Sequence, residues 1–260
     1  MLVGDLRIDP VVDGMARMAP SEAYAGTDEL AWAPHRDFLA PDGMLELDLG
    51  GFLVRGGAHT VLVDCGLGPM TRAGYHGGRL LDSLAALGVT PDAVTDLVFT
   101  HLHFDHVGWA TQKGEVVFPN AVPRCDRRDW EHFVTGPDGG AARKLGPLAD
   151  RVDFWEAGST VLPGVDVLHA PGHTPGSSIV VVSSGSERAL LLGDVVHCPV
   201  ELVDEEWAGM GDVDPDLALR TRAALIREIE GADVPVAAAH FPGMRFGRLL
   251  RGEGRRRWVM

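Results

Sequence analysis

Thr100-His101-Leu102-His103-Phe104-Asp105-His106-Val107-Gly108 packs three imidazoles and one carboxylate into six residues. His101 and His103 alternate, so on an extended backbone both side chains leave on one face and Leu102 leaves on the other. Asp105 and His106 are adjacent, so they join that face only if the chain turns after His103. Just upstream, Asp96-Leu97-Val98-Phe99-Thr100 reads as a short buried strand. The cluster therefore lies where a rigid strand breaks into a loop, the place where functional groups are commonly held.

Imidazoles with carboxylates and no thiolate suit a divalent ion such as Zn, Mn, Fe or Co. Four such groups this close exceed what one catalytic ion uses while keeping an open position. Two neighbouring ions sharing them fit better than a chance cluster of surface histidines.

The bulk composition sets outer bounds. The 260 residues have ordinary globular proportions and no evident linker, so a single domain over 1–260 is expected. No run approaches the roughly 18 apolar residues of a membrane span. Met1-Leu2-Val3-Gly4-Asp5-Leu6-Arg7 carries charges where a signal peptide needs an apolar core, so a cytoplasmic location is expected. Cys65, Cys125 and Cys198 are scattered and read as reduced thiols. A formal net charge of -14 argues against nucleic acid or an anionic membrane as partner.

Outward from the cluster, residues 1–43 read as an N-terminal arm. Within it Ile8 to Gly14 forms a strand and turn, and Tyr24, Trp32 and Phe38 anchor a surface loop. Leu45 to Leu49 alternates like a half-buried strand. Phe52–Arg55 and His59–Asp64 read as a hairpin ending in Asp64-Cys65-Gly66. Asp64 either caps that turn or orients a metal-binding histidine from behind. Leu80, Leu84 and Leu87 recur at helical spacing, and Gly88 stops that helix. Residues 109–151 read as an insertion covering the site, with a short helix near Asp129 to Phe133. Trp109, Trp130 and Phe133 are candidate pocket walls or plain packing. Strands follow at Val152–Phe154, Val165–His169, Ile179–Val182 and Ala189–Leu192. The Asp214-Pro215 pair starts a helix whose buried face takes Leu217, Leu225 and Ile229. Val234 to Ala239 is a last strand that delivers His240.

His101, His103, Asp105, His106, His173, Asp194 and His240 each lie at or just past a strand end, or on a Gly/Pro loop beside one. Here the chain resembles the metallo-β-lactamase superfamily. His101-Leu102-His103-Phe104-Asp105-His106 matches its HxHxDH signature. Asp64, Gly172-His173-Thr174-Pro175-Gly176, Gly193-Asp194 and Ala239-His240 resemble its other motifs in order. The resemblance implies an α/β fold, the αβ/βα four-layer sandwich, with two mixed sheets face to face, helices outside and metals at one edge. It also implies two divalent ions, with Zn first and Mn, Fe or Co as alternatives. His101, His103 and His173 hold one; Asp105, His106 and His240 hold the other; Asp194 bridges them and Asp64 stands behind. A homodimer is implied by analogy alone.

Within the superfamily, length and the Gly193–His197 and Ala239–Gly243 segments look most like acyl-homoserine lactonases, which quench quorum signals, and methyl-parathion-type hydrolases. Many such lactonases carry a tyrosine three residues after the bridging Asp, and here His197 stands there. His197 either donates the equivalent hydrogen bond, or shuttles a proton, or packs behind the ligands. The expected function is a dinuclear-metal hydrolase in which a metal-bridging hydroxide opens a lactone or cleaves a related carboxylic ester, with Asp105, Asp194 and His197 as catalytic residues. Gly176-Ser177-Ser178 lacks the GxSxG elbow of a serine hydrolase. Alternatives are a glyoxalase II-like thioesterase, a polyketide-pathway hydrolase or a phosphotriesterase. Different classes are an iron-dependent persulfide dioxygenase and a non-catalytic metal-binding scaffold.

Overall fold

The structure, a computed structural model, describes residues 1–260 apart from Ala157 and Glu253. The chain opens with β1 (Leu2–Val3) and the long β2 (Leu6–Met18). Short helices α1 (Pro20–Ala23) and α2 (Glu29–Trp32) follow. Then β3 (Leu45–Gly56) returns antiparallel to β2, and β4 (His59–Val63) turns back along β3. A small hairpin of β5 (Thr71–Arg72) and β6 (Tyr75–His76) leads into helix α3 (Leu80–Ala86) and β7 (Asp96–Val98). A separate ribbon of β8 (Thr111–Gln112) and β9 (Glu115–Val116) precedes β10 (Val122–Asp126) and α4 (Arg127–Phe133). After α5 (Ala142–Leu145), β11 (Asp153–Trp155) completes a nine-stranded sheet in which β4, β7, β10 and β11 run parallel.

The second sheet holds five strands in chain order: β12 (Thr160–Leu162), β13 (Val165–His169), β14 (Ser178–Ser184), β15 (Glu187–Leu191) and β16 (Val236–Ala237). Between β15 and β16 lie α6 (Val200–Val203) and α7 (Pro215–Ile229). A hairpin of β17 (Arg248–Arg251) and β18 (Arg256–Val259) ends the described chain.

Strand periodicity explains the layering. On β3 and β4, Phe52, Val54, Val61 and Val63 face one way, while Leu53 and Leu62 face the other. The first set meets Val165, Val167, Val180, Val182 and Leu191 of the second sheet, so the two sheets bury a common core. The second set meets Leu80 and Leu84 of α3 and Trp130 and Phe133 of α4 on the outside. Across the molecule, Ile179, Leu190 and Val236 meet Leu225, Ile226 and Ile229 of α7. Each sheet is buried on both faces, giving helix, sheet, sheet and helix layers.

Several expectations shift in detail. The first strand does not turn at Gly14 but runs on to Met18. Pro10 is tolerated because, among the described residues, β3 is the only strand beside β2 at that point. Leu45 to Gly56 is one strand, unbroken at Gly50 and Gly51. The α7 buried face takes Ala218 and Arg222, with Leu217 only half-buried. The last strand contracts to Val236–Ala237. Tyr24 and Trp32 anchor their segment by burial, as expected, packed on Trp207 at ring separations of 5.6 and 4.8 Å.

The β2 strand carries a bulge between Val12 and Gly14. A bulge places an extra residue and re-aims its side chain, and here the extra residue is Asp13, which is fully buried. Its carboxylate accepts from the amides of Leu67, Gly68, Gly78 and Leu80 and from the Trp109 indole, all at 2.8–2.9 Å. One acid thereby ties down the loop after Asp64, the start of α3 and the residue that follows the histidine cluster. Asp13→Ala strands those donors, at about 1–3 kcal/mol for each one that water cannot reach. The expected loss is at least ~3 kcal/mol, read from the urea midpoint and slope; a loss under ~1 kcal/mol contradicts the assignment.

Candidate metal centre

The seven ligand-type residues converge at one edge of the sandwich. Asp64 follows β4, His101 to His106 follow β7, Asp194 follows β15 and His240 follows β16. Residues 170–177 join β13 to β14 and carry His173. Because β4 and β7 run parallel, as do β15 and β16, their C-terminal ends emerge at the same side. Gly172 lets the His173 loop press against α7: at φ +132 it is glycine's conformation, and a Cβ there would lie 2.2 Å from the Ala218 nitrogen.

Outer partners set each ring. Asp64 sits at a φ of 59, unusual for a non-glycine residue. It accepts from the Thr100 amide and hydroxyl at 2.8 and 2.7 Å and from His106 Nδ1 at 2.9 Å. The Thr100 hydroxyl, having given its proton to Asp64, accepts from His101 Nδ1 at 3.1 Å. His173 Nδ1 donates to Asp212 at 2.9 Å, and His240 Nδ1 donates to the Asp48 carbonyl at 2.7 Å. With Nδ1 protonated on each, the four Nε2 atoms carry lone pairs when the rings are neutral.

Those Nε2 atoms all face Asp194. His106 lies 3.2 Å from Oδ1, while His101, His173 and His240 lie 3.6, 3.5 and 3.2 Å from Oδ2. Lone pairs facing a carboxylate repel unless a proton or a cation lies between them. For His106 and His240, burial alone would lower the pKa, but Asp194 and neighbouring acids outweigh it and raise both. For His101 and His173 burial wins, and both fall well below the usual imidazole range. Burial also lowers His103, and Asp194 is held well below the usual carboxylate range because the surrounding imidazoles outweigh its burial. His101, His106 and His173 Nε2 and Asp194 Oδ1 are buried without hydrogen-bond partners among the described residues. Such atoms are costly unless something occupies the space between them.

The donor set fits divalent cations. Ligand atoms of His101, His103, His173 and Asp194 lie within 4.8 Å of one another, and so do those of Asp105, His106 and His240. Asp194 touches both groups: Oδ1 faces His106, and Oδ2 faces His101, His173 and His240. Neutral imidazoles and carboxylates are the ligands that Zn and similar ions take.

His197 reaches the same centre. Its Nε2 lies 3.5 Å from Asp194 Oδ2, and its ring stacks over His240 at 5.8 Å. Behind it, Glu201 accepts from the His197 and Cys198 amides at 2.9 and 3.1 Å and from the Tyr24 hydroxyl at 2.5 Å. The Arg222 guanidinium meets the other Glu201 oxygen at 2.8 Å. Burial alone would raise the Glu201 carboxyl, but Arg222, His197 and Tyr24 hold it down at about 2. Burial would lower His197, but Asp194 and Glu201 hold it up at about 9.

Asp212, Glu201, Arg222 and the Tyr24 contact escaped the sequence reading. Glu201 has two near partners, the His197 and Cys198 amides, but the contacts that bring these residues to the site span 15 to 177 residues, which no local pattern marks. Of the aromatics expected as walls, Phe133 touches the site, 5.1 Å from the His103 ring. Trp109 and Trp130 belong to the outer core. Phe104 and Tyr75 were not singled out, yet Phe104 is 48% exposed beside the ligands with the Tyr75 ring 5.4 Å away.

Comparison with known proteins identifies the family and the fold. Residues 51–240 match the Metallo-beta-lactamase superfamily. The N-acyl homoserine lactonase AiiA of Bacillus thuringiensis subsp. kurstaki is 27% identical over 217 residues, covering 76% of this chain and 82% of that protein. Among solved structures, AidC, a dizinc quorum-quenching lactonase in complex with a homoserine product, superposes with a TM-score of 0.89 at 22% identity, over 100% of this chain and 95% of that one. The hydrolase AbOPH superposes at 0.88 with 24% identity over the same shares. The chain belongs to the metallo-beta-lactamase superfamily and has its fold.

A buried ion pair behind His197 has a measurable signature. Arg222→Met leaves the Glu201 carboxylate buried without its counter-charge, which costs about 3–5 kcal/mol. Urea unfolding of the two proteins reads that loss directly. A variant as stable as the parent contradicts the arrangement.

Proposed function

We propose that this member of the superfamily is a dinuclear-metal hydrolase that opens a lactone or cleaves a related carboxylic ester, with acyl-homoserine lactones as the first substrates to test. The observation that carries the reading is the ring of inward-facing, unpartnered Nε2 atoms around the Asp194 carboxylate. The lactonase relative supports the substrate class. His101, His103 and His173 would hold one ion and Asp105, His106 and His240 the other, with Asp194 shared between them. When bound, such ions supply Lewis acidity that acidifies water and polarises a carbonyl.

The protein's own groups do the rest. Asp64, Thr100, Asp212 and the Asp48 carbonyl keep the four imidazoles in one tautomer and orientation. Of the two acids in the ligand groups Asp105 is the more exposed, at 8% against 5% for Asp194, and would carry the proton from the attacking water to the leaving alkoxide. His197, held by Glu201, aims its Nε2 at the centre and would donate to the substrate carbonyl. Phe104 and Tyr75 offer an apolar surface to the acyl part of a substrate. No serine or cysteine nucleophile is needed; Cys65, Cys125 and Cys198 are all buried.

Elemental analysis of purified protein, followed by a panel of acyl-homoserine lactones, aryl esters, thioesters and phosphotriesters, tests this reading. The expected result is two ions per chain and the fastest turnover on a lactone or ester. Asp194→Asn loses metal and rate together. His197→Phe keeps both ions while kcat falls on the order of 10²-fold. A protein that holds no ion and gains no activity with Zn, Mn or Co overturns the reading.

A further inference from the structure

Asp129 lies in the first turn of α4 and is fully buried. Its carboxylate takes three hydrogen bonds from two separate loops. Oδ2 accepts from the Leu102 amide at 3.0 Å and from the Thr174 hydroxyl at 2.9 Å; Oδ1 accepts from the Gly176 amide at 2.6 Å. Leu102 sits between His101 and His103, and Thr174 directly follows His173. The first loop leaves the nine-stranded sheet and the second belongs to the five-stranded sheet. One acid thus straps together the two loops whose imidazoles make up one of the two ligand groups.

The surroundings are built for this contact. Asp126 caps α4 by accepting from the Arg128 amide at 2.8 Å, which fixes the turn bearing Asp129. A Cβ at Gly176 would lie 2.8 Å from Asp129 Oδ1, so glycine is what lets the loop come this close. The Thr174 hydroxyl is also tied to Ser177 at 2.8 Å, and the Ser178 amide reaches the Thr100 carbonyl at 2.9 Å. The other ligand group hangs from different supports: Asp64 holds His106, and the Asp48 carbonyl holds His240. Asp129 makes no hydrogen bond to either of those supports among the described residues.

We propose that Asp129 is a positioning residue for one ion only: it sets the spacing between His101 and His103 on one loop and His173 on the other. Affinity at that group depends on it, and affinity at the Asp105–His106–His240 group does not. The inference rests on the two-ion reading above. Asp129→Asn keeps the size of the side chain but turns an amide N–H toward at least one donor, so the loops part.

The test counts zinc bound by the full chain in chelator-buffered solutions, with no recourse to turnover. Wild type is expected to bind two ions. Asp129→Asn is expected to bind one with unchanged affinity and the second 10–100-fold more weakly, the range seen when outer supports of metal ligands are removed. His240→Ala alone is expected to keep one ion at wild-type affinity, and His240→Ala with Asp129→Asn to bind that ion 10–100-fold more weakly, which identifies the site affected. Circular dichroism checks that each variant is folded. Should Asp129→Asn fail to fold, Thr174→Val removes a single bond of the strap, and a smaller weakening at the same site is expected. Variants that bind both ions as wild type does, or that weaken both sites equally, overturn the inference and leave the two-ion reading standing. A wild type that binds no zinc overturns both.

Discussion

One carboxylate, Asp194, has imidazole nitrogens pressed around it in a buried pocket, and the fold is organised to hold that unfavourable arrangement. Charges and lone pairs repel strongly where water is excluded. Left alone, the rings would turn away. They do not turn because each Nδ1 is committed to Asp64, Thr100, Asp212 or the Asp48 carbonyl. What relieves the repulsion is positive charge placed between the groups, and the donor types are those that divalent ions accept.

The same device recurs at several depths. Asp13, Asp64, Asp129 and Glu201 are all buried acids that spend their oxygens on backbone amides of loops. Each joins segments remote in sequence: Asp13 reaches Trp109, Asp64 reaches His106, Asp129 reaches Gly176, and Glu201 reaches Tyr24. A loop cannot order itself by hydrophobic burial, since its polar backbone needs partners. Buried carboxylates supply those partners, and the sheets on either side supply the rigid floor. An acidic chain, at a net charge of -14, thus keeps some of its acids inside as scaffolding.

Legibility in the sequence followed the range of the interaction. The apolar runs on either side of Gly56-Gly57 are a local pattern, and the hairpin they predict is present, with its first strand continuous with Leu45–Leu49. The His101–His106 cluster and the motifs at His173, Asp194 and His240 were visible because ligand types repeat beside strand ends, and the structure brings all seven together. The bulge at Asp13 was invisible, because a two-residue alternation gives no sign of an inserted residue. Arg222 was invisible for a different reason: an arginine on a helix reads as exposed until its buried partner, Glu201, is known. The same holds for Tyr24, which looked like a loop anchor and stands 177 residues from its acceptor. His197 was flagged by its place after Asp194, though only the structure set its ring against Asp194 and Glu201.

Anomalous diffraction at the zinc edge from crystals grown with zinc tests the central claim most directly. Two peaks are predicted, one among His101, His103 and His173 and one among Asp105, His106 and His240, with the Asp194 carboxylate between them. A map with no peak beside Asp194, or with zinc bound only elsewhere on the surface, contradicts the account.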